Sequence, residues 1–180
     1  MKVDITFDNS INAEPSSVWC GIKFIDWMNI EADSSLYLRP LAILLKKLVA
    51  IHNYNVPFHG GISSYVLTLM TSAFLRESPK ASSIAQAFIH ILSYYGAAFD
   101  PNRLMIYMGR EILDVGVVPK QSDILVTDPF KPQMNAASTL TQFAEIRQLF
   151  FTTYRYLIEL IMSGKEVEKG GILKRIYSES

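Results

Sequence analysis

The stretch from Arg39 to Met70, RPLAILLKKLVAIHNYNVPFHGGISSYVLTLM, decides the fold. Leu41, Leu44, Leu45, Leu48 and Ile51 recur at the spacing of one helical face. Pro40 suits the first turn of that helix, where a missing N–H costs nothing. From Asn53 to Gly61 a proline and two glycines break the pattern. A second apolar ladder then runs through Ile62, Tyr65, Val66 and Leu69, so the stretch reads as two helices joined by a short connection. The Gly60–Gly61 pair lets the backbone turn tightly into the second helix, whose first turn carries Ser63 and Ser64. Free amides and hydroxyls at such a helix start suit a phosphate or a sugar hydroxyl. Lys46, one helix earlier, is in place to face the same cavity. An ordinary helical hairpin with a solvated lysine has the same spacing, and spacing alone does not separate the two.

Working outward, Val3 to Phe7 alternates apolar Val3, Ile5 and Phe7 with polar Asp4 and Thr6, which predicts a strand. Asp8 to Ser17 is a loop, and a helix follows from about Gly21 through Ile22, Ile25 and Met28, ending between Glu31 and Ser35. After the central hairpin, Glu77 to Ala81 with Pro79 is a loop. Ser82 or Ser83 caps the next helix, whose ladder is Ile84, Phe88, Ile89 and Leu92 and which ends at Gly96. Met105 to Met108 and Glu111 to Val115 flank Gly109–Arg110, the pattern of a hairpin with a type II′ turn, and Asp123 to Thr127 supplies a third strand. The longest helix spans Leu140 to Met162, with Phe143, Ile146, Phe150, Tyr154, Leu157 and Ile161 as its buried stripe and Gly164 as its stop. Gly170–Gly171 precedes a short last helix. The expected class is mainly α (α+β), without internal repeats or low-complexity segments.

With 180 residues and a hydrophobic content of 49%, the chain is large enough for a substantial core. Its apolar runs are broken by charges well before the ~20 residues of a membrane span, and the first residues lack the apolar centre of a signal peptide. The single cysteine, Cys20, excludes an internal disulfide and a cysteine-rich zinc site, which points to an intracellular protein. A formal net charge of zero is low for a chain that grips nucleic acid unaided, because phosphate contacts need clustered Lys and Arg. The one basic group, Lys165, Lys169, Lys174 and Arg175, is diluted by Glu166 and Glu168. His52, His59 and His90 show no zinc-ligand spacing.

RPLAILLKKL, HNYN and GGISSYVLTLM, in that order, resemble the central domain of the non-canonical poly(A) polymerases and terminal uridylyltransferases of the nucleotidyltransferase superfamily. VDITF at Val3 to Phe7, YYGAAFD at Tyr94 to Asp100, DPFKPQMN at Asp128 to Asn135 and ILKRI at Ile172 to Ile176 fall in the family order, so the similarity covers nearly the whole chain. It is greatest to the polymerases that add short A tails in nuclear RNA surveillance. The implied organisation is a residual catalytic palm strand and loop over residues 1–20 and a helical central domain, carrying a small β-hairpin, over residues 21–180. The implied activity is template-independent addition of AMP from ATP to RNA 3′ ends, assisted by Mg2+ or Mn2+. The implied partners are the RNA 3′ end, a zinc-knuckle RNA-binding protein and a helicase, with no membrane, in the nucleus rather than the cytoplasm. Two other readings stay open: a catalytically inactive nucleotide- or protein-binding module of that origin, and a terminal uridylyltransferase.

The resemblance also assigns residues. Two-metal nucleotidyl transfer needs a cluster of carboxylates, three aspartates in this family, and Asp4 matches the third as catalytic residue and metal ligand. Nothing in the chain matches the first two or the Gly-Ser turn that precedes them. Lys46 then contacts the triphosphate, Ser64 a phosphate or sugar, and Tyr65 stacks on the base, a role open to any planar ring. Asp128 reads the base edge, with Asn135 in the loop behind it. Read from the residues alone, Asp4 is also a polar position on an edge strand, Tyr65 also core packing, and Asp128 and Asn135 also plain turn chemistry. The chain departs from the family at Cys20, before Gly21, and at Ala50, where some uridylyltransferases carry a second lysine. Lys131 and Met134 replace the acid and histidine of the uridylyltransferase loop, which leans toward adenine.

Overall fold

Leu41, Leu45 and Leu48, three positions of one helical face, are wholly buried. The computed structural model describes residues 17–78, 81–118 and 123–163. Within these, contacts divide the chain into two units, Met1–Leu36 and Tyr37–Ser180, so the division falls at 36/37 and the first helix goes with the N-terminal unit. That helix, α1 (Ser17–Ser34), starts a turn earlier than the apolar spacing implies. It carries a stacked Phe24–Trp27 pair with ring centroids 5.6 Å apart. Ile25, expected in its apolar ladder, is 54% exposed. The strand expected at Val3 to Phe7 and the last helix after Gly171 lie outside the described residues, as does Gly164.

The second unit holds α2 (Leu38–Ile51), α3 (Ser64–Glu77), α4 (Ile84–Ser93) and α5 (Phe143–Met162), with strands β1 (Leu104–Tyr107), β2 (Glu111–Asp114) and β3 (Leu125–Val126). The mainly α class holds. α2 and α3 pack on each other as the hairpin expected from the sequence, and all three strands lie against α3. The Asn53–Gly61 break is a left-handed Asn53 and a 3₁₀ turn at Pro57–His59. Ser63 is the N-cap of α3, its Oγ accepting the Val66 amide at 3.1 Å, and Ser64 is the first helical residue. Ser83 caps α4 in the same way, while Gln86 reaches back to the amide and hydroxyl of Ser82.

The segment after α4 does not stop at Gly96. It widens into a π-helical turn, Tyr94–Ala98, that packs on α5 more extensively than any other pair of elements. Gly96 explains the closeness: a Cβ there would come within 2.7 Å of the Phe151 amide nitrogen. Tyr94, Tyr95, Phe99 and Phe143 form a run of ring contacts through this layer. Tyr95 is fully enclosed, and its hydroxyl donates to the Met70 carbonyl at 2.8 Å. Along α5 the buried stripe is Phe143, Ile146, Phe150, Thr153, Leu157 and Leu160. Tyr154 is half-buried and Ile161 is 56% exposed, because alternate i+3 and i+4 steps follow the 3.6-residue period through Thr153 and Leu160 instead.

The sheet order is β2-β1-β3, with β1 antiparallel to β2 and parallel to β3. The hairpin turn differs from expectation. Met108 (φ 53°) and Gly109 (φ 66°) are both left-handed, and the Arg110 amide donates to the Tyr107 carbonyl, so glycine takes the second central position of a type I′-like turn. Met108 holds this conformation while its amide donates to Thr127 Oγ1 at 2.8 Å.

Candidate nucleotide site

The start of α3 is fixed by the connection before it. The amides of Gly60, Gly61 and Ile62 donate to the carbonyls of Pro57, Val56 and Tyr54 at 3.1, 3.0 and 2.7 Å. These three amides are therefore committed within the loop. Ser64, exposed at the first position of α3, is what the turn presents outward. The Gly60 carbonyl accepts the amides of Thr141 and Gln142, both at 3.0 Å, which ties the start of α5 to the same connection.

Tyr65 follows in the first turn of α3, half-buried. Its hydroxyl donates to Oδ2 of Asp128 at 2.9 Å, joining α3 to the loop that leaves β3. The other carboxylate oxygen, Oδ1, accepts the amides of Phe130 and Lys131 at 2.7 and 3.0 Å. This is the turn an aspartate before proline favours, and it sets the carboxylate between its own loop and the tyrosine. A carboxylate only accepts hydrogen bonds, so whatever meets its remaining lone pairs must donate.

The loop closes on itself. Thr127 pairs with Asn135 across an antiparallel bridge, and the Asp128 amide donates to the Met134 carbonyl at 3.1 Å. The Asn135 side chain spans the base of the loop. Its Oδ1 accepts the amides of Val126 and Ala137, both at 3.0 Å, and its Nδ2 donates to the Ile124 carbonyl at 3.1 Å. Asn135 thus meets backbone on both sides of the loop.

Lys46 is exposed on α2, between buried Leu45 and Leu48, and no hydrogen bond or ion pair among the described residues joins it to the others. Asp4 lies outside the described residues. Among the described residues no group of three His, Cys, Asp or Glu side chains comes together to hold a metal ion. Likewise none of the described helices is long and apolar enough to cross a membrane. An open cavity of about 550 Å3, lined by Pro57, Phe58, His59, Gly60, Thr139 and Thr141, shares no residue with the predicted set.

Sequence reading named Ser63 but missed its capping role, and it missed Thr127. Ser63 was within reach, because a serine ahead of an apolar helical ladder is an N-cap signal. Thr127 was not: its contact with Met108 joins residues that follow different strands, and no local pattern marks it.

No protein-family model matches the chain. Over 197 aligned residues it is 27% identical to the inactive non-canonical poly(A) RNA polymerase protein Trf4-2 of Drosophila melanogaster, covering 98% of this chain and 46% of that protein. The fold is shared with the polymerase core of TRAMP, an RNA surveillance complex, at a TM-score of 0.74 and 15% identity, over 89% of this chain and 56% of that one. It is also similar to Cid1, known for RNA terminal uridylyl transferase activity, at a TM-score of 0.58 and 18% identity, over 91% of this chain and 59% of that one. The chain spans about half the length of the curated relative it matches. Sequence relation and fold agree: the chain is similar in sequence to a non-canonical poly(A) RNA polymerase protein and shares the fold of an RNA surveillance polymerase core and of a terminal uridylyl transferase.

Proposed function

We propose that this chain carries the nucleotide-recognition part of a template-independent RNA nucleotidyltransferase that adds AMP from ATP to RNA 3′ ends. The observation that supports it most is the Tyr65–Asp128 hydrogen bond, 63 residues apart in sequence. It brings a planar ring and an acceptor-only carboxylate together at the start of one helix. The ring stacks on the base, and the carboxylate accepts from an exocyclic amino group such as that of adenine. Ser64 supplies a hydroxyl to the phosphate or sugar, and Lys46 a positive charge to the triphosphate. Asn135 supports this site through backbone.

Mg2+ or Mn2+ belongs to the same reading, with Asp4 as one of its ligands, and would supply charge neutralisation at the transferred phosphate. A cluster of carboxylates is needed for that, and Asp4 alone matches the family's set. These 180 residues on their own therefore bind nucleotide without transferring it. With no net charge to hold RNA, the grip on the 3′ end comes from a partner: a zinc-knuckle RNA-binding protein, alongside a helicase, in the nucleus.

Titrating the purified chain with ATP while following amide chemical shifts tests this. The expected dissociation constant is no tighter than about millimolar, ~4 kcal/mol, with shifts at Ser64, Tyr65 and Lys131. Tyr65→Ala is expected to weaken binding by about tenfold or more, since stacking on an aromatic ring is worth roughly 1–3 kcal/mol per base. Shifts confined to residues away from α3 and the Asp128 loop, or ATP-dependent tailing of an RNA primer by this chain alone, would overturn the reading.

A further inference from the structure

We propose that Asn135 is a positioning residue for Asp128, acting through the backbone of the loop and not as a nucleotide contact. The proposal rests on the nucleotide-recognition reading above and deepens it. Three observations carry it. The Asn135 amide group links Ile124, Val126 and Ala137, which lie on both sides of the 128–134 loop, so one planar group pins the loop's entry to its exit. The Thr127–Asn135 bridge and the bond from the Asp128 amide to the Met134 carbonyl place Asp128 at the first position of the loop beyond that pin. Finally, Oδ1 of Asp128 depends on the loop's own curvature, because both amides it accepts, those of Phe130 and Lys131, lie inside the loop.

The chemistry of the side chain fits this role. The base of the loop needs two acceptances and one donation from a single short group. Asparagine provides both, aspartate provides only the acceptances, and alanine provides neither. Releasing the pin lets the loop relax, and the carboxylate then loses the orientation that Tyr65 and the loop amides impose together. Base discrimination falls first, since it depends on the direction of the carboxylate, whereas stacking on Tyr65 tolerates any base.

Two variants and two readouts test the proposal. Asn135→Ala removes all three bonds, and Asn135→Asp keeps the two accepted ones. In the free chain, hydrogen exchange at the Phe130 and Lys131 amides is expected to speed up by about tenfold in Asn135→Ala, on the order of one hydrogen bond's net worth, and by less in Asn135→Asp, with α3 amides unchanged. In titrations with ATP and GTP, the ratio of their affinities is expected to collapse toward one in Asn135→Ala and to be partly kept in Asn135→Asp. A direct contact with the anionic nucleotide reverses the order, because a new carboxylate repels the triphosphate and Asn135→Asp becomes the weaker binder. That order, or unchanged exchange at Phe130 and Lys131, overturns the proposal. If the unmodified chain binds no nucleotide, the functional reading falls by itself, and the exchange data still decide whether Asn135 holds the loop.

Discussion

Gly61→Ala is expected to be the most damaging single-methyl change in the connection ahead of α3. A Cβ at Gly61 would stand 2.4 Å from the Tyr54 carbonyl oxygen and 2.8 Å from both the Tyr54 carbonyl carbon and the Val56 amide nitrogen. All three atoms are backbone, so no rotamer change relieves the contact. The chain must open the loop, which lengthens the Ile62–Tyr54 bond of 2.7 Å and the Gly61–Val56 bond of 3.0 Å. Two hydrogen bonds at about 1 kcal/mol each and overpacking of about 1–3 kcal/mol give a loss of roughly 3–5 kcal/mol. At roughly 2–4 °C per kcal/mol for a domain of this size, the melting midpoint falls by about 10 °C.

Two other glycines separate crowding from backbone conformation. Gly116 is left-handed (φ +74°) with nothing near its would-be Cβ, so Gly116→Ala carries only the conformational cost, about 1–2 kcal/mol. Gly60 is left-handed (φ +82°) and would also meet Thr141 Oγ1, the end of a side chain. Gly60→Ala should therefore fall between the two, and adding Thr141→Ala should recover the crowding part and leave the conformational part. Thermal melts of the four variants by circular dichroism give the ranking. A midpoint for Gly61→Ala within about 2 °C of the unmodified chain, or above that of Gly116→Ala, would refute the argument that backbone crowding fixes the start of α3.

Two further outcomes are expected. The Tyr95 phenol is pushed well above its ordinary value, first by burial and then by neighbouring Tyr94. Its stabilising effect is complete below the unfolded phenol pKa of about 10 and is lost as pH rises toward the folded value. Denaturant midpoints should fall in alkali, and Tyr95→Phe should flatten that alkaline limb while costing about 1 kcal/mol at pH 7 for the bond to Met70. An alkaline limb unchanged by the substitution would remove Tyr95 as its source. Phe58, 99% exposed on the 3₁₀ turn, contributes nothing to the core, so Phe58→Ser should shift the midpoint by no more than about 1 °C; a fall beyond about 3 °C would show that the ring packs in solution.

The helices were legible in the sequence because their signals are local. Leu41, Leu45 and Leu48 mark their face by spacing alone, and each proves buried. Strand β3 and the hairpin were legible for the same reason, through short apolar runs between turn residues. The misses all depend on contacts between distant residues. Met108 adopts a left-handed conformation where the sequence points to glycine as the first turn residue, and its amide meets Thr127. The π-helical turn at Tyr94–Ala98 answers to the close approach of α5 at Gly96, which the sequence around Gly96 does not encode. In the site, Tyr65, Asp128 and Asn135 could be named from family likeness. That the tyrosine hydroxyl and the asparagine amide serve the protein's own frame was visible only once the loops were in place.

That frame has a physical consequence for recognition. Three segments far apart in sequence converge on it. Gly60 accepts the first amides ahead of α5, Asp123 Oδ2 accepts the Phe143 amide at 3.3 Å, and Asp128 accepts the Tyr65 hydroxyl. Gln142, the residue before α5, makes no capping bond with its own side chain, so Asp123, just ahead of β3, does that work from a distance. The starts of α3 and α5 and the loop after β3 are thus held by one another. A site built on such mutual support loses little conformational freedom when a ligand arrives, and the entropy that a mobile loop would surrender on binding is already spent in folding. It also means that damage travels: loosening the α5 start at Asp123 acts on Gly60, and through Gly60 on the turn that presents Ser64 and Tyr65. The orientation of the Asp128 carboxylate is then a property of the whole junction.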